Sequence, residues 1–208
     1  PPPCSTPFPH THLCRSLVIG GIQRGDAGDN RVLLPDGQVL DYGYLVIASG
    51  TSPRPDQTPG MAEGEWRKSI FDFYTLDGAV ALRDKLATWE GGRLVVQIVE
   101  MPIKCPVAPL EFTFLADAFF EEKGMRDKVD ISYVTPLEGA FTKPIASQHL
   151  GGMFTDRKVK LEGDFMLDRI DTDTKPLTPM DSREVPFALL VTLPPTRGAA
   201  FVSRSGLG

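Results

Sequence analysis

Two rhythms of apolar residues run along the chain. Tyr44-Leu45-Val46-Ile47-Ala48 is a continuous apolar run without polar alternation, the pattern of a strand covered on both faces in a parallel sheet. Leu94-Val95-Val96-Gln97-Ile98-Val99 has β-branched residues and follows Gly91-Gly92, which predicts a second buried strand. Between these runs Leu76, Ala79, Leu82 and Leu86 recur at helical spacing, predicting a helix near 75–88. Leu110, Phe114, Leu115, Ala118 and Phe119 mark one face of another helix, opened by Pro109 and ended by Gly124. With Val129–Val134 as the next strand, residues 94–134 form a strand, helix, strand unit of βαβ size. Such alternation implies an α/β sheet.

Before the first run, Leu17-Val18-Ile19 reads as a short strand. Arg31-Val32-Leu33-Leu34 turns at Pro35-Asp36-Gly37 into Gln38-Val39-Leu40 as a hairpin. The stretch 56–67, rich in Pro, Gly and polar residues, is a loop. An internal repeat ties the two ends together. Asp36–Val46 aligns without gaps on Asp181–Val191, a shift of 145 residues from Asp36 to Asp181. Each copy reads as a hairpin followed by an apolar strand, and Arg31–Pro35 and Pro176–Met180 suit the first arms. Two such patterns in one register point to duplicated domain parts.

Composition narrows the classes. The 208 residues, 41% hydrophobic and 24% charged, are those of an ordinary globular protein of one large or two small domains. A formal charge of −5 with no basic cluster gives no footprint for nucleic acid. No apolar run approaches the roughly 18–20 residues that span a bilayer. Three cysteines, at 4, 14 and 105, are too few and odd in number for a disulfide framework, so a reducing, cytoplasmic setting is expected. The opening Pro1–Pro9 has neither an initiator Met nor a signal-peptide apolar region and reads as a truncated or irregular start. Cys4, His10, His12 and Cys14 match no standard zinc spacing, and no metal is expected. His149, beside Gly151-Gly152, reads as a surface or packing residue.

Two turns could carry chemistry. Ala48-Ser49-Gly50-Thr51-Ser52-Pro53 follows the carboxyl end of a predicted buried strand, where ligands bind in open α/β sheets, though a plain strand-to-loop turn has the same look. Cys105, in Glu100-Met101-Pro102-Ile103-Lys104-Cys105-Pro106-Val107-Ala108-Pro109, lies between a strand and a helix. The helix start and Lys104 would both favour the nucleophilic thiolate, although a buried inert cysteine fits the pattern too. Glu111 falls in the first helical turn, where it either interacts with the helix dipole or exchanges protons with the site. This turn has no Gly-x-Gly-x-x-Gly, so a nicotinamide cofactor is not held there in the usual way.

Asp41-Tyr42-Gly43-Tyr44-Leu45-Val46-Ile47-Ala48-Ser49-Gly50 resembles the Tyr-Asp-x-Leu-Ile-x-Ala-Thr-Gly element of FAD-dependent pyridine nucleotide-disulfide oxidoreductases, with Ser49 in place of Thr. Lys104-Cys105-Pro106-Val107-Ala108-Pro109-Leu110-Glu111 resembles the cysteine turn of the sulfide:quinone oxidoreductases, where cysteine replaces the nucleotide-binding glycines. The resemblance covers about residues 30–208. It implies a Rossmann-like α/β fold with two related dinucleotide-type domains, incomplete at both ends. The implied layout is an irregular start at 1–20, a remnant of the FAD domain at 21–60 and a linker with a helix at 61–90. The cysteine-bearing domain would take 91–175, and a hairpin and strand returning toward the FAD domain would take 176–208. The family relation implies a flavoenzyme that oxidises sulfide and passes electrons through FAD to quinone. Cys105 and Glu111 would be catalytic, while Ala48, Ser49, Gly50, Thr51 and Pro106 would lie along FAD. Missing C-terminal parts would supply a second cysteine and peripheral contact with the inner membrane. An NAD(P)H-dependent flavin oxidoreductase of the type II NADH dehydrogenase kind, and an inactive fragment unable to hold FAD, are the competing readings.

Overall fold

A computed structural model describes residues 17–207 apart from 64 and 182. Most of the Pro-rich start, with Cys4, His10, His12 and Cys14, lies outside the described residues. The chain divides into two compact units, whose described residues are 17–50 with 198–207, and 51–197.

The first unit is built on an antiparallel meander of β1 (Arg24–Asp26), β2 (Arg31–Leu33) and β3 (Val39–Asp41). Asp36 Oδ1 accepts the Gln38 N–H at 3.0 Å, and Gly37 takes φ +85°, so the Pro-Asp-Gly signal makes the turn it predicts. The helix Ala200–Arg204 joins the meander, and the Gly25 N–H donates to Ser205 Oγ at 2.7 Å. The expected strands at Leu17–Ile19 and Tyr44–Ala48 are corrected here. Neither segment is a strand, and Ile19, Tyr44 and Val46 are 90%, 98% and 86% exposed. An apolar run becomes a buried strand only when neighbours satisfy its backbone and cover its faces. Among the described residues no strand lies beside either run.

The second unit holds a five-stranded parallel sheet. After β4 (Thr51–Pro53), the chain enters β5 (Ile70–Phe71), α1 (Leu76–Thr88), β6 (Gly92–Ile98), α2 (Ala108–Glu122), β7 (Val129–Val134), α3 (Pro144–Asp156) and β8 (Val159–Glu162). A second antiparallel meander follows, β9 (Leu167–Ile170), β10 (Pro176–Pro179) and β11 (Val185–Pro186), and leads into β12 (Leu189–Leu193). The strand order is β5-β12-β6-β7-β8, with every pairing parallel. Strand β12 is thus a central strand of this sheet. Leu189–Leu193 are all buried because β5 and β6 satisfy both of its edges.

Side chains alternate across the sheet. Leu94, Val96 and Ile98 of β6 join Leu82 of α1 and Leu110 and Phe120 of α2, whereas Val95 joins Phe165, Leu177 and Phe187 on the meander side. Helices therefore cover one face and the meander covers the other. Gly124 ends α2 at φ +65°, the left-handed conformation for which glycine is suited. Asp117, 2% exposed, binds α2 to its surroundings: it accepts from Arg126 Nε at 2.5 Å and Arg157 Nη1 at 2.8 Å. Asp117 draws the Arg157 pKa upward, chiefly through this hydrogen bond. No helix among the described residues is long and apolar enough to cross a membrane.

Candidate functional site

The order in which strands are added reverses at β6. From β6 the chain steps to β7 and β8 on one side and later places β12 on the other. The carboxyl ends of β6 and β12 flank this topological switch point, the place where open α/β sheets bind ligands. The β6 turn carries Cys105.

Residues 99–107 join β6 to α2 without a short glycine turn. Met101 and Ile103 pack against the helix-side core, while Pro102, Lys104 and Cys105 are exposed. The alternation pins the loop through its apolar residues and leaves the thiol accessible, so the buried inert alternative does not hold. The Cys105 carbonyl accepts the Ala108 N–H at 3.2 Å, which starts α2 three residues beyond the cysteine. Pro109, expected at the first helical position, is instead the second residue of α2. Pro106 is partly buried in the same turn. Glu111 is an exposed residue in the first turn of α2, its N–H donating to Val107 O at 3.0 Å. Cys105, Pro106 and Glu111 thus share one strand-to-helix turn.

A polar pair lies within the two central strands. Thr192 Oγ1 of β12 donates to Gln97 Oε1 of β6 at 2.6 Å, and both residues are fully buried. Gln97 Nε2 has no partner among the described protein atoms. Gln97 is visible in sequence as the polar member of an apolar run; Thr192 is not marked in advance.

The turn after β5 approaches the cysteine turn. Asp72, 1% exposed, accepts from the Thr75 N–H at 3.0 Å and Thr75 Oγ1 at 2.9 Å, and Thr75 Oγ1 in turn accepts the Gly78 N–H at 3.0 Å as the cap of α1. Arg67 Nη2 stands 2.8 Å from Asp72 Oδ1 as an ion pair. Tyr74, carried by this turn, donates its hydroxyl to the Cys105 carbonyl at 3.0 Å. Burial pushes the Tyr74 pKa upward, with the nearby Cys105 acting in the same direction and the hydrogen bond to the Cys105 backbone opposing it. Tyr74 was not marked by the sequence pattern.

Ala48, Ser49 and Gly50 belong to the first unit, whereas Thr51 opens β4 in the second. All four are exposed. Gly50 takes φ +69°, and a Cβ built there meets no atom within 4 Å. No group of three or more His, Cys, Asp or Glu residues suited to a metal occurs among the described residues.

Comparison with known proteins gives this arrangement its setting. No family model matches the chain. The mitochondrial sulfide:quinone oxidoreductase of Dictyostelium discoideum is 25% identical over 183 residues, covering 86% of this chain and 40% of the relative. The chain is similar in sequence to mitochondrial sulfide:quinone oxidoreductases. The sulfide:quinone oxidoreductase structure from Aquifex aeolicus superimposes with a TM-score of 0.75 at 19% identity, covering 91% of this chain and 44% of that one. The likeness establishes the fold, a Rossmann-like α/β architecture. A chloroplastic/mitochondrial alternative NAD(P)H-ubiquinone oxidoreductase from Arabidopsis thaliana is 27% identical over 125 residues, covering 57% of this chain and 22% of the relative. This chain therefore spans about two fifths of the sulfide:quinone oxidoreductase relative it matches.

Proposed function

We propose that this chain supplies the thiol-bearing part of an FAD-dependent oxidoreductase that oxidises sulfide and passes the electrons to quinone. The observation that carries the reading is the exposed Cys105 in the β6-to-α2 turn, beside the switch point and without the glycines of a nucleotide cradle. A thiol there can accept sulfur. In balance, one cysteine thiol and one hydrogen sulfide give a cysteine persulfide, two protons and two electrons; one quinone takes two electrons and two protons to become a quinol.

FAD, when bound, supplies the two-electron relay between these half-reactions. Ala48, Ser49, Gly50 and Thr51 are the residues proposed to lie along it, with Pro106 on the side of the cysteine turn. Cys105 carries the sulfur, and Glu111 takes up and returns protons in the same turn. The reading places the working protein in contact with quinone at a membrane surface.

The test is sulfide-dependent flavin reduction by the protein expressed in its full genomic reading frame, repeated after Cys105→Ser. Loss of reduction by sulfide in the variant is expected, with FAD still bound and visible in absorbance. Unchanged reduction would remove the thiol role. Flavin reduction by NADH, with no response to sulfide, would instead select the reductase activity named for the Arabidopsis relative. Absence of flavin absorbance in the purified protein would favour an inactive chain.

A further inference from the structure

We infer that Tyr74 is a positioning residue for the Cys105 turn, holding the cysteine carbonyl so that the thiol stays displayed at the carboxyl edge of the sheet. The inference rests on the thiol reading only for what the displayed cysteine is used for.

Two βα turns meet through this one contact. Tyr74 lies between β5 and α1, and Cys105 between β6 and α2, 31 residues later. The Cys105 carbonyl has two donors, the phenol of Tyr74 at 3.0 Å and the Ala108 N–H at 3.2 Å. The second belongs to the helix that follows the cysteine and moves with it. Tyr74 is the donor from a different turn, so it fixes the cysteine peptide against the rest of the sheet.

Tyr74 is itself held. The buried Asp72 ties down Thr75 on one side of it through the backbone N–H and the hydroxyl. On the other side Phe73 sets its ring edge-on to Tyr74, with centroids 5.3 Å apart, and stacks on Phe112 of α2 at 5.0 Å. The phenol therefore approaches from a turn locked at both ends. Because burial raises its pKa, it remains a neutral donor through the physiological range. Such a contact is what an exposed thiol needs: Met101 and Ile103 anchor only the earlier part of the loop.

The test uses the chain with Cys4→Ser and Cys14→Ser, leaving Cys105 as the single cysteine, labelled with carbon-13 at its carbonyl. Tyr74→Phe removes the donor and keeps the ring. The labelled resonance is expected to move upfield. Amide exchange across 99–107 is expected to rise about two- to tenfold, the change in population that loss of one net hydrogen bond makes, while β6 amides keep their protection. Tyr74→His, which retains a ring donor, is expected to recover part of that protection. An unmoved resonance or unmoved exchange in Tyr74→Phe overturns the inference. So does unfolding of both variants, which would make Tyr74 a core residue. These readouts involve neither sulfide nor flavin. A Tyr74 effect on them, combined with unchanged flavin reduction in Cys105→Ser, would leave the positioning role standing and remove the sulfide reading.

Discussion

Gly78→Ala sets helix propensity against packing, and the two predict opposite signs. Gly78 lies in the first turn of α1, where alanine is favoured over glycine by about 1 kcal/mol. A Cβ at this position, however, would stand 2.5 Å from both Arg67 Nη1 and Asp72 Oδ1, and 2.6 Å from Asp72 Oδ2. Asp72 has no room to yield, being 1% exposed and engaged by Thr75 and Arg67. Separating a buried charge from its partner costs about 3–5 kcal/mol. Less the propensity gain, the expected loss is about 2–4 kcal/mol. At about 2–4 °C per kcal/mol for a chain of this size, the melting temperature should fall by roughly 5–15 °C. Gly152→Ala is the internal control: Gly152 is inside α3, exposed, and a Cβ there meets nothing within 4 Å. Only propensity acts, so that variant should gain about 0.5–1 kcal/mol. Thermal and urea unfolding followed by circular dichroism measure both. A neutral or stabilised Gly78→Ala, matching the control, would refute the packing argument and with it the rigidity assigned to the turn that carries Tyr74.

Further outcomes follow from the same geometry. Gly60→Ala places a Cβ 1.8 Å from the Ile170 carbonyl oxygen at a residue with φ +81°, so urea unfolding should show a loss above about 3 kcal/mol. Asp117→Asn removes the buried anion between Arg126 and Arg157 and should cost about 2–4 kcal/mol, with faster amide exchange at the carboxyl end of α2. The Ser69 hydroxyl chiefly, aided by Lys175, holds the Glu65 carboxyl below the usual carboxylate range against the opposing effect of burial. A lowered folded pKa stabilises above the unfolded value, near about 4.3, and that stabilisation is lost as pH falls through the folded value. The melting-temperature difference between the natural chain and Glu65→Gln should therefore be largest near neutrality and shrink as pH drops below about 4; a constant difference would contradict the stabilisation of the Glu65 carboxylate by Ser69 and Lys175.

Sequence periodicity carried the βαβ core because each helix shows an apolar face and each strand a short branched run. Leu82 and Leu110 pack where that pattern puts them, whereas the buried face of α2 runs through Thr113, Ala116 and Phe120, and Leu115, expected on that face, is 68% exposed. α3 was less legible, since Gly151-Gly152 sits inside it and glycine argues locally against a helix. Cys105 could be located between strand and helix from sequence, and the structure adds its exposure. Tyr74 could not be found in this way, because its partner is 31 residues distant and only the adjacency of two turns joins them.

The repeat exposes the limit most directly. Tyr44–Ala48 and Leu189–Leu193 occupy the same register after matching meanders, and both are apolar runs. One is buried between β5 and β6, whereas the other is exposed and unpaired among the described residues. Local pattern specifies what a segment is able to become, and neighbouring strands decide whether it does. In β12 those neighbours satisfy the backbone on both edges, which is why the carboxyl ends of β6 and β12 lie side by side. The cysteine turn owes its place at the switch point to this pairing, a relation that no local reading of residues 99–107 contains.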